Sequence, residues 1–248
     1  MIEFKNVTKI LNGTKVLDNL SLRIERGETF VIIGRSGTGK TVTLKHIAGL
    51  LEPESGVVLV DGQQMNGSSK RQKDNLREKI GFVFQSGALI NWMTVEENIA
   101  LPLVEHKVLP QDEIKKIVEE KLDLLQLTSA RDRMPAEISG GMKKRASLAR
   151  VLVRNPEIIL YDEPTSGLDP VMSSLINTII NQIKKDQHIT QVVVTHDMES
   201  AYAVGDRIAM LYDGSIIQCD VPEAIRTTAN PIVRQFISGS LEGPIEVL

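Results

Sequence analysis

The octapeptide GRSGTGKT, residues 34–41, sits between the apolar run TFVII (29–33) and VTLKHIAGL (42–50), whose apolar residues recur at helical spacing. A strand that leads into a glycine-rich loop and directly on into a helix leaves few folds open. Gly34, Gly37 and Gly39 let backbone N–H groups turn inward with no Cβ in the way, and a helix starting near Gly39 adds the positive end of its dipole. The product is a cradle for phosphate. In the pattern G-x-x-x-x-G-K-[ST], Lys40 reaches the β- and γ-phosphates of a nucleotide and the Thr41 hydroxyl ligands Mg²⁺, while Arg35, Ser36 and Thr38 complete the loop.

A phosphate cradle needs a second, carboxylate-bearing element, and IILYDE (158–163) supplies it. Four apolar residues predict a buried strand, at whose end Asp162 holds the Mg²⁺ shell and Glu163 faces the γ-phosphate to polarise the attacking water. A third element is ISGGMKKRASLARVLV (138–153). Ser139 is a good N-cap, Gly140 and Gly141 expose backbone N–H groups, and a helix beginning near Met142 presents its positive end, so this is a second anion site without a lysine. One nucleotide has too few γ-phosphate faces for both.

The rest of the chain is organised around these elements. Short β-branched runs bounded by Gly, Pro, Asn or Asp stand at 2–7, 29–33, 57–60, 81–84, 158–161, 191–195, 208–211 and 215–218 and predict strands. Met172, Leu175, Ile176, Ile179 and Ile183 fall on one helical face, and so do Ile114, Ile117, Val118, Leu122 and Leu125. Alternating strands and helices predict an α/β fold with a largely parallel sheet. From about Ser86 to Val153 the strand signals stop, and Pro102, Pro110 and Pro135 punctuate an otherwise helical stretch, which reads as a helical insertion. Beyond Pro222 the pattern predicts a short helix and an extended tail.

Composition narrows the partners. With 29 basic against 32 acidic residues the net charge is −3, so no global field holds nucleic acid or anionic lipid. The single cysteine, Cys219, rules out an internal disulfide framework and a Cys-rich metal site, as suits a reducing cytoplasm. No apolar run approaches the ~18 residues that span a bilayer, so a role at a membrane is expected to come through a partner.

GRSGTGKT, Gln85 in FVFQSG, ISGGM, IILYDEP, SGLD (166–169) and His196 in VVVTHD follow one another in an order and spacing that resembles the nucleotide-binding subunits of ATP-binding cassette (ABC) transporters, over nearly the whole chain. The resemblance implies a P-loop NTPase (RecA-like) α/β core with antiparallel strands at the N-terminus and an inserted α-helical subdomain. The cassette is then residues 1–238, with a core at about 1–85 and 154–221 and the insertion at about 86–153. It implies an ATPase using ATP and Mg²⁺, in which two copies pair head to tail and each nucleotide lies between the phosphate loop of one and the Ser139 helix of the other. By the same resemblance Gln85 senses Mg²⁺ and the attacking water, Asp169 works across the dimer interface, and His196 contacts the γ-phosphate. The remaining histidines carry no such context.

Two departures stand out. Leu11 falls where the family usually stacks an aromatic residue on adenine, and Ile138 and Met142 replace the usual leucine and glutamine around SGG. Residues 85–110, ISGGMKKRASLARVL and the tail VRQFISGSLEGPIEV (233–247) are similar to Mla-type ATPases, which energise phospholipid movement between the membranes of diderm bacteria. That resemblance implies a subunit peripheral to the cytoplasmic face of the inner membrane. Its expected partners are an integral permease, an MCE-type lipid-binding protein and a STAS-domain protein, with no nucleic acid. It also implies a tail at 239–248 that contacts the second ATPase copy, although docking on the chain's own core is the simpler alternative. Another ABC importer or exporter cassette, or a cell-division ATPase that signals without transport, is the alternative function. A soluble ABC ATPase of DNA repair or translation is disfavoured for want of a second cassette, coiled coil or zinc module.

Overall fold

In a computed structural model, which describes residues 1–106 and 109–246, the chain opens with a long antiparallel pair, β1 (Ile2–Leu11) and β2 (Thr14–Ile24). Of this pair the sequence pattern predicts only residues 2–7. Asn6 and Asn19 adopt left-handed backbone (φ 51° and 47°), and the register shifts between Phe4 and Val7, so the apolar alternation slips where a strand signal needs it to continue. The turn is Asn12–Gly13, both at positive φ, a hairpin signature that matches the right-handed strand twist.

β3 (Thr29–Ile33) runs into the glycine loop and α1 (Lys40–Ile47). β4 (Ser55–Val60) and the short β5 (Gln63–Gln64) complete a four-stranded sheet in the order β2-β1-β4-β5. α2 (Lys70–Glu78) escapes the apolar pattern because Leu76 is its one buried residue. Its sequence signal is the capping box that Ser69 and Gln72 close. β6 (Ile80–Val83) follows, then α3 (Val95–His106), α4 (Gln111–Leu124) and α5 (Gly140–Leu152). Among the described residues from Ser86 to Val153 there are helices and two single 3₁₀ turns and no strand. Pro102 does not interrupt this region as its type suggests: it lies inside α3. Nor does the Ser139 helix wait for Met142; it begins at Gly140.

The second half alternates β7 (Ile158–Asp162), α6 (Pro170–Gln187), β8 (Thr190–Thr195), α7 (Met198–Val204), β9 (Arg207–Tyr212) and β10 (Ser215–Asp220). The six-stranded sheet has the order β10-β9-β3-β8-β7-β6, parallel except for the β9/β10 hairpin. Its central strands are buried on both faces, which is why they read as unbroken apolar runs. Phe30 and Ile32 pack with α1 and the antiparallel sheet, whereas Val31 and Ile33 pack toward the helices. Ile158 and Leu160 against Ile159 and Tyr161 divide in the same way. The carboxyl ends of β3, β7 and β8 thus lie side by side, each followed by a loop.

After β10 the chain forms two helices where one is expected, α8 (Pro222–Arg226) and α9 (Pro231–Ser238). α9 ends at Gly239 in the left-handed region. The tail then folds back: Ile245 is buried, its N–H donates to the Gln235 Oε1 at 2.6 Å, and the Gln235 Nε2 donates to the Ile245 carbonyl at 3.1 Å. Val247 and Leu248, the end of the tail expected to contact the second copy, lie outside the described residues.

Candidate nucleotide site

The loop between β3 and α1 is built around two close approaches. A Cβ at Gly34 (φ 155°) would stand 2.5 Å from the Leu211 carbonyl oxygen, and one at Gly39 (φ 101°) would stand 2.9 Å from a Val16 methyl. Gly39 is also the residue before α1, without a side-chain cap, so the first N–H groups of that helix remain available to an anion. Lys40 is buried, with its Nζ donating to the carbonyls of Gly34 at 2.7 Å and Arg35 at 2.9 Å. Burial lowers the pKa of this ammonium, and the nearby Glu163 carboxylate acts against that shift.

Across the loop stand the ends of β7 and β8. The Thr41 hydroxyl donates to Asp162 Oδ1 at 2.8 Å, bringing together two of the three groups that the sequence reading assigns to Mg²⁺. Burial raises the Asp162 pKa and the neighbouring Glu163 adds to it, while the Thr41 hydrogen bond opposes both. Glu163 sits in left-handed backbone (φ 48°) just past the strand. Its carboxylate lies 2.9 Å from His196 Nδ1 through Oε2 and 3.7 Å from Lys40 Nζ through Oε1. His196 is half exposed, so its ring faces the opening while Glu163 is buried beneath it.

Lys40, Glu163 and His196 line one cavity of about 320 Å³, together with Leu11, Val16, Ser36, Gly37, Gly39, Thr41 and Gln85. Asp162 is not part of that lining and is joined to it through the Thr41 hydroxyl. Arg35 and Thr38 face an adjoining cavity of about 290 Å³ instead, and the Arg35 Nη1 donates to the Glu246 carbonyl of the tail at 3.0 Å. The Gln85 amide points across the rim to the Ser166 hydroxyl at 3.5 Å, at the outer limit of a hydrogen bond.

The second anion element lies apart from this cavity. Ser139 caps α5, accepting from the Met142 N–H at 3.3 Å, and both Ser139 and Gly140 are exposed. Gly141 is buried against Met172 and Leu168. Asp169 caps α6 through the N–H groups of Val171 and Met172, each at 3.0 Å, and is exposed. The two helix starts are therefore neighbours through the Leu168 and Met172 side chains, on an exposed patch that the chain's own cavity does not include.

Several supporting residues have no motif to announce them. Val16 lines the cavity from β2, the strand that the apolar pattern does not predict. The Arg150 guanidinium of α5 donates to the carbonyls of Gly87 and Ala88 and so braces the loop after Gln85. Asn98, fully buried in α3, ties down the far side of that loop by donating to Ile90 and Met93 carbonyls. Asp197 caps α7 and accepts from Thr165 and Ser200, which fixes the turn that carries His196. Its signal is an N-cap aspartate three residues before Ser200. Among the other histidines, His46 is a buried helix residue bonded to the Val42 carbonyl, and His188 closes α6.

Comparison with known proteins fits this geometry. Residues 17–166 match the family model described as ABC transporter. A probable ribonucleotide transport ATP-binding protein, mkl, of Mycobacterium leprae is 42% identical over 244 residues, covering 98% of this chain and 70% of that protein. The intermembrane phospholipid transport system ATP-binding protein MlaF of Haemophilus influenzae is 37% identical over 245 residues, covering 99% of this chain and 93% of that one. Among solved structures, the ATP-binding cassette MJ0796, in a dimeric post-hydrolysis state bound to ADP and Pi, superposes with a TM-score of 0.83 at 35% identity, over 90% of this chain and 99% of that chain.

Proposed function

The chain belongs to the ABC transporter family and is an ATP-hydrolysing subunit of it, and on that premise we propose that it energises phospholipid transport of the Mla type. The observation that carries this reading is the end-to-end match to the Haemophilus phospholipid-transport ATPase, 93% of whose length is covered. The mycobacterial relative favours a second reading, ribonucleotide transport, at slightly higher identity but over 70% of its length. Purifying the chain with its native membrane partners and analysing the bound small molecules by mass spectrometry separates the two. Copurified phospholipid and ATP-driven lipid transfer between vesicles support the first, whereas ATP-driven ribonucleotide uptake without lipid transfer replaces it.

In the proposed mechanism the loop N–H groups from Gly34 to Thr41, with Arg35, Ser36, Gly37, Thr38 and Gly39, cradle the β- and γ-phosphates, and Lys40 turns from the loop carbonyls to the phosphate oxygens. Thr41, Asp162 and Gln85 offer oxygen donors of the kind Mg²⁺ prefers, and with Thr41 and Asp162 already 2.8 Å apart these residues would hold the cation. Such a cation would neutralise phosphate charge. Glu163 takes a proton from the attacking water as its oxygen bonds to the γ-phosphorus and the bond to the bridging oxygen breaks. His196 orients Glu163 and meets the γ-phosphate. Leu11 and Val16 flank the base.

The exposed patch of Ser139, Gly140 and Asp169, with Gly141 buried behind it, meets the nucleotide of a second copy, which would give the second anion element its role. The dimeric state of the solved MJ0796 cassette supports this. No helix among the described residues is long and apolar enough to cross a membrane. In the proposed assembly a permease holds the chain at the cytoplasmic face of the inner membrane. An apolar groove of about 370 Å³ between α3 and α4, lined by Met93, Leu101, Val104 and Ile114, with exposed Trp92 nearby, suits such a partner. MCE-type and STAS-domain proteins complete the proposed assembly. The cassette divides into the core (1–85 and 154–221) and the helical insertion (86–153). Within the tail from residue 239, Ile245 anchors on the chain itself and the exposed Leu241 is left for a contact with the second copy.

A further inference from the structure

We propose that Lys144 is a positioning residue for ATP hydrolysis, its ammonium fixing the Glu163 carbonyl and with it the left-handed backbone from which the Glu163 carboxylate reaches the cavity. The inference rests on the reading of Glu163 as the base and adds to it the group that holds that base in place.

Asp162 is the last residue of β7 to pair with β8, and successive side chains on a strand point to opposite faces. Asp162 and Glu163 nevertheless both serve the same end of the phosphate loop, Asp162 through Thr41 and Glu163 through its place in the cavity wall. What permits this is the turn at Glu163, whose φ of 48° a residue with a Cβ adopts only when its surroundings impose it. The imposing contacts are few. The Glu163 N–H donates to the Val194 carbonyl at 2.9 Å, and its carbonyl accepts from the Ser166 N–H at 3.2 Å and from Lys144 Nζ at 2.8 Å. The lysine contact is the shorter of the two at the carbonyl, and the charged one.

Lys144 lies on α5 with only 8% of its surface exposed. A buried ammonium is costly, and packing α5 against the core asks only for an apolar side chain there. Among the described residues Lys144 makes no ion pair, and its hydrogen bond goes to the one backbone carbonyl that defines the Glu163 turn. Burial lowers its pKa, while the Glu163 and Asp162 charges beyond that carbonyl oppose the shift. The same helix is capped by Ser139, five residues or about 7.5 Å along the axis away, on the patch assigned to the second copy's nucleotide. A rigid helix therefore connects the surface that meets one nucleotide to the backbone that aims the base at the other.

The test uses the assembled transporter and four variants, K144M, K144Q, K144R and E163Q. Methionine keeps the unbranched apolar stem to within one bond of the lysine and removes the donor; arginine restores a charged donor. K144M should lower kcat at least about tenfold while KM and ATP affinity stay within about twofold, because the loss falls on the chemical step. K144R should recover most of that loss. A merely structural lysine would instead lower the melting temperature and leave kcat intact well below it. If K144M does not fold, K144Q carries the test, being one bond too short to hold the carbonyl firmly, and the same loss of kcat at unchanged ATP affinity is expected. Wild-type kcat in K144M, or in K144Q in its place, overturns the proposal, as does a loss explained wholly by weaker ATP binding. E163Q separates the two layers: near-normal hydrolysis there means that Glu163 is not the base, whereas an inactive E163Q beside an active K144M removes only the role of Lys144.

Discussion

Lys40 shows how much one side chain does here. Buried, it is held by two carbonyls of its own loop and lies 3.7 Å from Glu163, so the group that would bind phosphate also sits within reach of the carboxylate that would act on it. Lys40→Ala is expected to weaken ATP binding by roughly tenfold to a hundredfold, the loss of a charge-assisted hydrogen bond worth about 1.5–3 kcal/mol. Titration of a fluorescent ATP analogue measures it, and unchanged affinity would remove Lys40 from the cradle. The lysine was legible in the sequence because the spacing from Gly34 to Thr41 is itself the geometry of the loop. Lys144 was not, since a lysine inside an amphipathic helix reads as a solvated face until the fold buries it under Glu163.

α5 joins more of the site than any other element. Its start carries Ser139, its middle reaches the Glu163 carbonyl, and Arg150 near its end braces the loop after Gln85. Ser139→Arg places a bulky cation on the exposed patch while leaving the cavity of the same chain untouched. ATP affinity of the isolated chain is expected to stay unchanged and hydrolysis by the assembled transporter to be lost. Losing the serine cap should also cost about 1 kcal/mol of stability, visible as a small fall in Tm. Isothermal titration of the isolated chain beside turnover of the complex reads both, and weaker ATP binding in the isolated chain would refute the two-copy assignment.

For the molecule as a whole, the tail is the segment whose placement matters most. Ile245 and the two-way Gln235 amide contact close it onto α9, and Gly243 passes so near Gln235 that a Cβ would stand 2.4 Å from its Oε1. Truncation after Gly239 exposes the Ile245 site, a loss of roughly 1.5–3 kcal/mol for one buried aliphatic side chain. In a chain of this size each kcal/mol shifts Tm by about 2–4 °C, so calorimetry should show a fall of several degrees. Association of the two ATPase copies in the complex, followed by analytical ultracentrifugation, is expected to weaken as well. A lower Tm with unchanged association would confine the tail to its own chain.

Where chemistry is local in the chain, the residue types alone disclose it. The glycine spacing before Lys40, the buried run ahead of Asp162 and Glu163, and the Ser139 cap each lie within one strand, loop or helix start, so neighbours along the chain specify them. β2 and α2 were hidden for opposite reasons, one because bulges broke its alternation and the other because it buries a single leucine. Only the folded chain could bring Leu11, Val16, Lys40, Gln85, Glu163 and His196 around one cavity while leaving Ser139 and Asp169 outside it. That division follows from strand order. The parallel register of β3, β8 and β7 sets three loops from distant parts of the sequence at one end of the sheet, and the fold leaves the α5 cap exposed outside the cavity they form.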